Sequence, residues 1–243
     1  MKKVQLITLG LLCSFAYGQD TAFLEVNYIK LNSKELATNN KTTYYNAKEG
    51  KNSSQKTFYL SGKTESETNF LNNIEDIRNG SSIKWYENGQ IKSLINYTND
   101  TIDGTLVTFW ENGNPKRQDV YKMGKLMEGN CYDKDGNEVK YYNYEIMPEF
   151  IGGTKAMFSY LKKEIHYPVE AIENNYTGKV IVSFTVSEKG KISDEKIMKG
   201  NADCLNNEAL RLVKQMPEWN PGQLDGEFVK MQVGVPILFL IAD

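Results

Sequence analysis

The chain has 243 residues, of which 25% are charged and 12% aromatic, and its formal charge is -2. That length suffices for one large domain or two ordinary ones around a sizeable core. The near-neutral balance and the lack of any Lys/Arg run exclude a phosphate-tracking surface, so no nucleic-acid partner is expected.

The first residues read as an address. Met1-Lys2-Lys3 is a positive start, Val4 to Tyr17 is apolar, and Ala16-Tyr17-Gly18 is a small-x-small site before Gln19. This is the pattern of a secretory signal peptide over residues 1–18. The apolar run falls short of the roughly 20 residues of a spanning helix, which favours cleavage over retention as an anchor. Loss of Lys2 and Lys3 leaves the mature chain near -4. Its expected location is the periplasm of a cell with two membranes. Cys13 goes with the leader, so at most one disulfide is open to the mature chain, Cys131 to Cys204.

Residues 19–55 read as a leading strand, with Phe23, Leu24, Val26, Tyr28 and Ile29, followed by a polar loop. Residues 56–143 carry an internal repeat. Tyr86-Glu87-Asn88-Gly89 is echoed by Trp110-Glu111-Asn112-Gly113 and by Asp133-Lys134-Asp135-Gly136, with glycines 24 and 23 residues apart. Gly80, Gly104 and Gly129 recur at 24 and 25. A degenerate earlier copy is Phe58-Tyr59-Leu60-Ser61-Gly62. Each unit combines an aromatic strand, an Asn-Gly or Asp-Gly turn suited to positive φ, and a polar strand ending in Tyr. Stacked, such hairpins form a continuous all-β ribbon. At these residues the chain resembles the MORN-repeat variant of bacterial envelope proteins, some of them antitoxin-like, and the resemblance implies a scaffold.

Residues 146–243 read as a second domain. Thr154 is a plausible N-cap, and Met157, Phe158, Leu161 and Ile165 form one helix face. His166-Tyr167-Pro168 stops that helix, and Pro168 opens a short second one. Gly178 to Val186 alternates as a half-buried strand. Glu188 to Lys191 turns the chain into a less regular strand, Ile192 to Met198. Leu205, Ala209, Leu212, Val213 and Met216 define the strongest helix, with Asp203 as its expected cap. An extended strap, Pro217 to Gly222, leads to a last strand from Val229 to Ile241, with Val229, Met231, Val233, Val235, Ile237 and Phe239 on one face. Pro236 inside that strand places it at the edge of its sheet, because proline cannot donate to a ladder. An exposed edge is either covered, by a loop or by a second copy in a homodimer through this strand, or receives a guest strand.

Six motifs in order carry a second resemblance. They are Pro148-x-Phe150-x-Gly152-Gly153, Tyr167-Pro168-x-x-Ala171, Gly178-Lys179-Val180, Glu208-Ala209-Leu210-Arg211, Met216-Pro217-x-Trp219-x-Pro221-Gly222 and Pro236-Ile237-x-Phe239. Together they resemble the TonB C-terminal domain in its Bacteroidota form. The resemblance implies an α+β fold, two helices on a small antiparallel sheet, and a partner: an outer-membrane TonB-dependent transporter, or another envelope protein, held by strand addition in energy-dependent transport. By that analogy the partner-binding positions are Tyr167, Pro168 and the last strand, namely Val229, Met231, Val233, Val235, Pro236, Ile237 and Phe239. No proline precedes the repeats, so the family's proline-rich spacer is missing and coupling to a proton-driven motor is in doubt. An envelope scaffold in which the repeats hold the partner is the alternative.

Nothing in the sequence points to catalysis. His166 is the single histidine, and no His/Cys cluster has metal spacing. The glycines fall in turns rather than before a helix. The expectation is a non-enzyme with no cofactor, no metal and no small-molecule substrate.

Overall fold

The computed structural model describes residues 41–45, 53–71 and 77–241; the leader and the leading strand around Phe23 to Ile29 lie outside these residues. The described residues divide into two compact units, one ending at Tyr142 and the other beginning at Asn143.

The first unit is one antiparallel sheet in which every strand pairs with its neighbours in sequence. Its strands are β1 (Lys41–Tyr45), β2 (Ser53–Phe58), β3 (Thr64–Phe70), β4 (Arg78–Trp85), β5 (Ile91–Thr98), β6 (Thr101–Phe109), β7 (Pro115–Lys122), β8 (Lys125–Tyr132) and β9 (Glu138–Val139). Part of the polar stretch expected to be a loop is therefore strand, since β1 and the start of β2 fall within it. The neighbouring strands show why the alternation signal is weak here. They pair through hydroxyls, Thr57 Oγ1 to Ser66 Oγ at 2.7 Å and Thr68 Oγ1 to Ser82 Oγ at 2.8 Å, rather than through an apolar face.

The repeat is visible in backbone bonds. Tyr86 N–H donates to Gln90 O at 2.8 Å and Gly89 N–H to Tyr86 O at 2.9 Å. The same pair of bonds recurs at Trp110/Asn114/Gly113, at Asp133/Asn137/Gly136 and at the degenerate copy Tyr59/Lys63/Gly62. The four glycines have φ of 84° to 93°, the left-handed conformation that closes a type I turn with a bulge. Aromatic side chains tie each repeat to the next. The Tyr59 hydroxyl donates to Trp85 O at 2.6 Å, the Tyr86 hydroxyl to Phe109 O at 2.8 Å and Trp110 Nε1 to Tyr132 O at 3.0 Å.

Strand register repeats as well. The pairs Lys84–Ser93, Ser82–Ile95 and Gly80–Tyr97 recur 24 residues later as Thr108–Arg117, Leu106–Asp119 and Gly104–Tyr121. Arg117 and Asp119 thus stand where the preceding repeat has Ser93 and the buried Ile95. Both are buried, and Arg117 Nη1 donates to Asp119 Oδ2 at 2.9 Å. Arg117 Nη2 donates to Tyr142 O at 2.7 Å, and the rings of Tyr141 and Tyr142 lie 5.1 and 4.6 Å from the guanidinium. The Tyr141 hydroxyl donates to Asp119 Oδ2 at 3.2 Å. Asp119 Oδ1 faces Gly129, where any side chain would begin 2.7 Å from that oxygen, so this glycine makes room for the carboxylate. Burial pushes the Asp119 carboxyl above its ordinary range, against the pull of Arg117.

The second unit contains β10 (Glu145–Ile146), β11 (Glu149–Phe150), α1 (Gly153–Glu164), α2 (Val169–Glu173), β12 (Gly178–Val186), β13 (Ile192–Lys199), α3 (Asp203–Lys214), β14 (Trp219–Asn220), β15 (Gln223–Leu224), β16 (Glu227–Phe228) and β17 (Met231–Phe239). The main sheet has the order β13-β12-β17 and is antiparallel throughout. Val180, Val182, Phe184 and Val186 of β12 share one buried cluster with Val233, Val235, Ile237 and Phe239 of β17, Leu205, Ala209, Leu212 and Val213 of α3, and Met157 and Leu161 of α1. The fold is the expected α+β arrangement of helices on a small antiparallel sheet.

Two caps differ from expectation. Gly152, with φ of 85°, is the N-cap of α1, and Thr154 lies inside the helix. Ala202 precedes α3, and Asp203 is its first residue. The start of α3 is held from Asn206 instead, whose Oδ1 accepts Asn201 N–H at 2.9 Å and whose Nδ2 donates to Asn201 O at 3.2 Å. Cys131 is buried and Cys204 half-buried, and both are free thiols.

Candidate partner-binding edge

Among the described residues, β17 ends the main sheet on one side and β13 on the other. The two edges are built differently. β13 carries exposed Asp194, Lys196 and Lys199, its pairing with β12 has two register shifts, and Asp194 sits at φ 58°. Charges and bulges of this kind discourage strand addition. β17 has no charged residue, and its nine residues pair with β12 without a shift, from Met231–Val186 to Phe239–Gly178.

Pro236 fixes which backbone groups face outward. In an antiparallel pair successive residues direct their N–H and C=O alternately to one neighbour and away from it. An uninterrupted ladder through Pro236 places its nitrogen on the side away from β12. Gln232, Gly234 and Leu238 share that phase. The outward phase therefore holds the N–H groups of Gln232, Gly234 and Leu238 and the carbonyls of those residues and Pro236; Gln232, Pro236 and Leu238 are half-buried and Gly234 is buried. The side chains of Val233, Val235, Ile237 and Phe239 are buried in the core, and their backbone faces β12. Val229 lies outside the strand, with its N–H donated to Gly222 O at 3.0 Å.

Of the positions singled out from sequence, the structure brings Tyr167 to Phe239, with ring centroids 5.9 Å apart and planes at 83°. The Tyr167 hydroxyl donates to Tyr176 O at 2.5 Å, and burial pushes its pKa up, which keeps it a donor. Pro168 is the N-cap of α2. Val229 and Met231 lie toward the opposite end of β17, roughly 27 Å away for an extended strand of that length. Sequence reading missed Gln232, Gly234 and Leu238. The phase of Pro236 was the signal that identifies them.

The turn that presents Tyr167 is clamped by α3. Arg211 donates from Nε and Nη2 to the Glu208 carboxylate, both at 2.7 Å, and from Nη2 to Glu164 O at 2.6 Å. Glu208 Oε1 accepts His166 N–H at 2.7 Å, and His166 Nδ1 lies 2.9 Å from Arg211 Nη2. His166 is exposed at the helix end, and its backbone N–H and Nδ1 join the clamp. A lysine cannot reproduce the planar fork. Arg211→Lys is expected to lower stability by about 2 kcal/mol. In urea the midpoint falls with an unchanged slope.

Residues 163–241 match the family model for the Gram-negative bacterial TonB protein C-terminal. That match runs from the end of α1 through β17 and takes in the whole main sheet of the second unit. Residues 78–99 and 102–123 match the MORN repeat variant, and the turn geometry described above continues on both sides of that match. A solution structure of the Helicobacter pylori TonB C-terminal domain is similar at 23% identity, covering 36% of this chain and 78% of that one, with a TM-score of 0.29. No curated protein matches the chain. The motif residues of the TonB C-terminal domain have visible structural work. Trp219 is buried edge-on against Phe184 and Phe150 at 5.1 and 5.8 Å, and the Glu208–Arg211 pair forms the clamp. Among the described residues no helix is long and apolar enough to cross a membrane, and no three His/Cys/Asp/Glu side chains could hold a metal ion.

Proposed function

We propose that this is a non-catalytic periplasmic protein, delivered by its signal peptide, that binds an outer-membrane TonB-dependent transporter or a related envelope partner by adding a guest strand to β17. Its place is in energy-dependent transport across the envelope. The observation that carries this reading is the contrast between the two edges of the main sheet. β13 carries charges and bulges, whereas β17 is uncharged and regular and, among the described residues, is paired on one side only. Strand addition uses backbone bonds for affinity and alternate side chains for specificity. Tyr167, packed edge-on against Phe239, stands near the end of this strand.

The test is calorimetric titration of the full chain with a TonB-box peptide. Saturable binding is expected, and a proline in the middle of the peptide abolishes it. No binding of the intact peptide overturns the reading. The protein is then better read as an envelope scaffold whose MORN-type repeats hold the partner without energy coupling.

A further inference from the structure

We infer that Pro236 keeps a second copy of this chain off the β17 edge while leaving that edge open to a guest; this rests on the reading of β17 as the guest-binding strand. Apart from Pro236, β17 has the properties of a self-associating edge. It is nine residues long, regular in register and free of charge. A two-fold pairing of β17 with its copy is the simplest closed assembly such an edge allows.

Symmetry makes one proline count twice. The register with the fullest overlap sets Gln232 against Leu238 and Gly234 against Pro236, and the two-fold axis repeats both pairings. Each copy's Pro236 then meets the other's Gly234, so two N–H donors are missing and two Gly234 carbonyls face a proline ring. A guest strand without proline meets the defect once. It can still exchange bonds with Gln232, Gly234 and Leu238, and it gives its own N–H to the Pro236 carbonyl. Discrimination between self and guest thus comes from a repulsive element built into the shared surface. The ring sits on the free edge, so it interrupts no bond to β12 and leaves the Val180–Ile237 and Val182–Val235 pairings intact.

Sedimentation of the full chain, with Pro236→Val and with Pro236→Ala, tests this inference. Circular dichroism and melting confirm that each variant is folded. Both variants are expected to dimerise at least about tenfold more tightly than the wild type, because two acceptors regain partners. The amides of Gln232, Gly234 and Leu238 should exchange more slowly as concentration rises. The inference is overturned if neither variant associates more tightly, or if only the valine variant does, since apolarity rather than the donor would then be responsible. A dimer whose three outward amides exchange as fast as in the wild type also overturns it. A second measurement does not depend on variant folding. Two peptides spanning Met231–Phe239, one native and one with Pro236→Val, are titrated into the wild-type chain, and the valine peptide should bind several-fold more tightly. Equal binding overturns the inference. Failure of the guest reading shows instead as loss of TonB-box binding, which these comparisons of proline with valine do not use.

Discussion

Arg117→Ser is expected to destabilise the repeat unit by about 3–5 kcal/mol, because it leaves the Asp119 carboxylate buried without its cation. Asp119→Ile alone should cost a similar amount by stranding the guanidinium between Tyr141 and Tyr142. The double change restores the residues of the preceding repeat, Ser93 and Ile95, in the same register. It should recover most of the loss, giving a large coupling in the double-mutant cycle. Urea unfolding of the three variants measures it. Additive losses would mean that the pair is not the unit holding Tyr141 and Tyr142 in place. A pH dependence follows from the raised Asp119 carboxyl. Its pKa is higher folded than unfolded, so its proton-linked stability is fully present below the unfolded value of about 3.9 and is lost as pH rises through the folded value. Relative to Asp119→Asn, the wild type should therefore gain stability as pH is lowered across that window.

Gly190→Ala should cost about 3 kcal/mol or more, since it combines a left-handed φ with an unavoidable backbone collision. Gly190 has φ of 82°, and an added Cβ would lie 2.0 Å from Trp219 O. The same turn receives Trp219 N–H at Gly190 O, 2.9 Å away, so relief of the clash moves the strand that seats Trp219 against Phe184. Gly62 provides the comparison. Its φ is 84° but nothing lies within 4 Å of an added Cβ, so Gly62→Ala should cost only about 1–2 kcal/mol. Melting temperatures and the near-ultraviolet tryptophan signal separate the two. Equal losses would show that conformational strain, not the Trp219 collision, governs Gly190.

The sequence shows its regular parts plainly. The 24-residue glycine spacing of the repeats reappears as identical turn bonds, and the stretch from Gly178 to Val186 is β12 residue for residue, although it is not half-buried as expected: Ser183 and Thr185 are buried as well as the apolar face. The edge position of β17 is readable from Pro236 alone, because one missing donor restricts where a strand can sit. What stays hidden has physical causes. β1 and β2 lack apolar alternation, so no period marks them as strands. Arg117 and Asp119 break the apolar pattern of a core face and read as surface charges until compared with Ser93 and Ile95. The two-residue strands β10, β11 and β14 to β16 are too short to carry any period. Asn206, five residues inside its partner Asn201, holds the start of α3, a reach that first-turn capping rules do not cover. Apart from Pro236, the last-strand residues chosen from sequence mark the apolar face, whereas the outward backbone groups belong to the alternate phase.

The most direct measurement is residue-level amide exchange of the full chain with and without a TonB-box peptide. Guest addition to β17 predicts slowed exchange at Gln232, Gly234 and Leu238, no change at the core-facing residues already bonded to β12, and no protection along β13. Protection confined to the MORN-type repeats, with the three outward amides of β17 unchanged, would contradict the account.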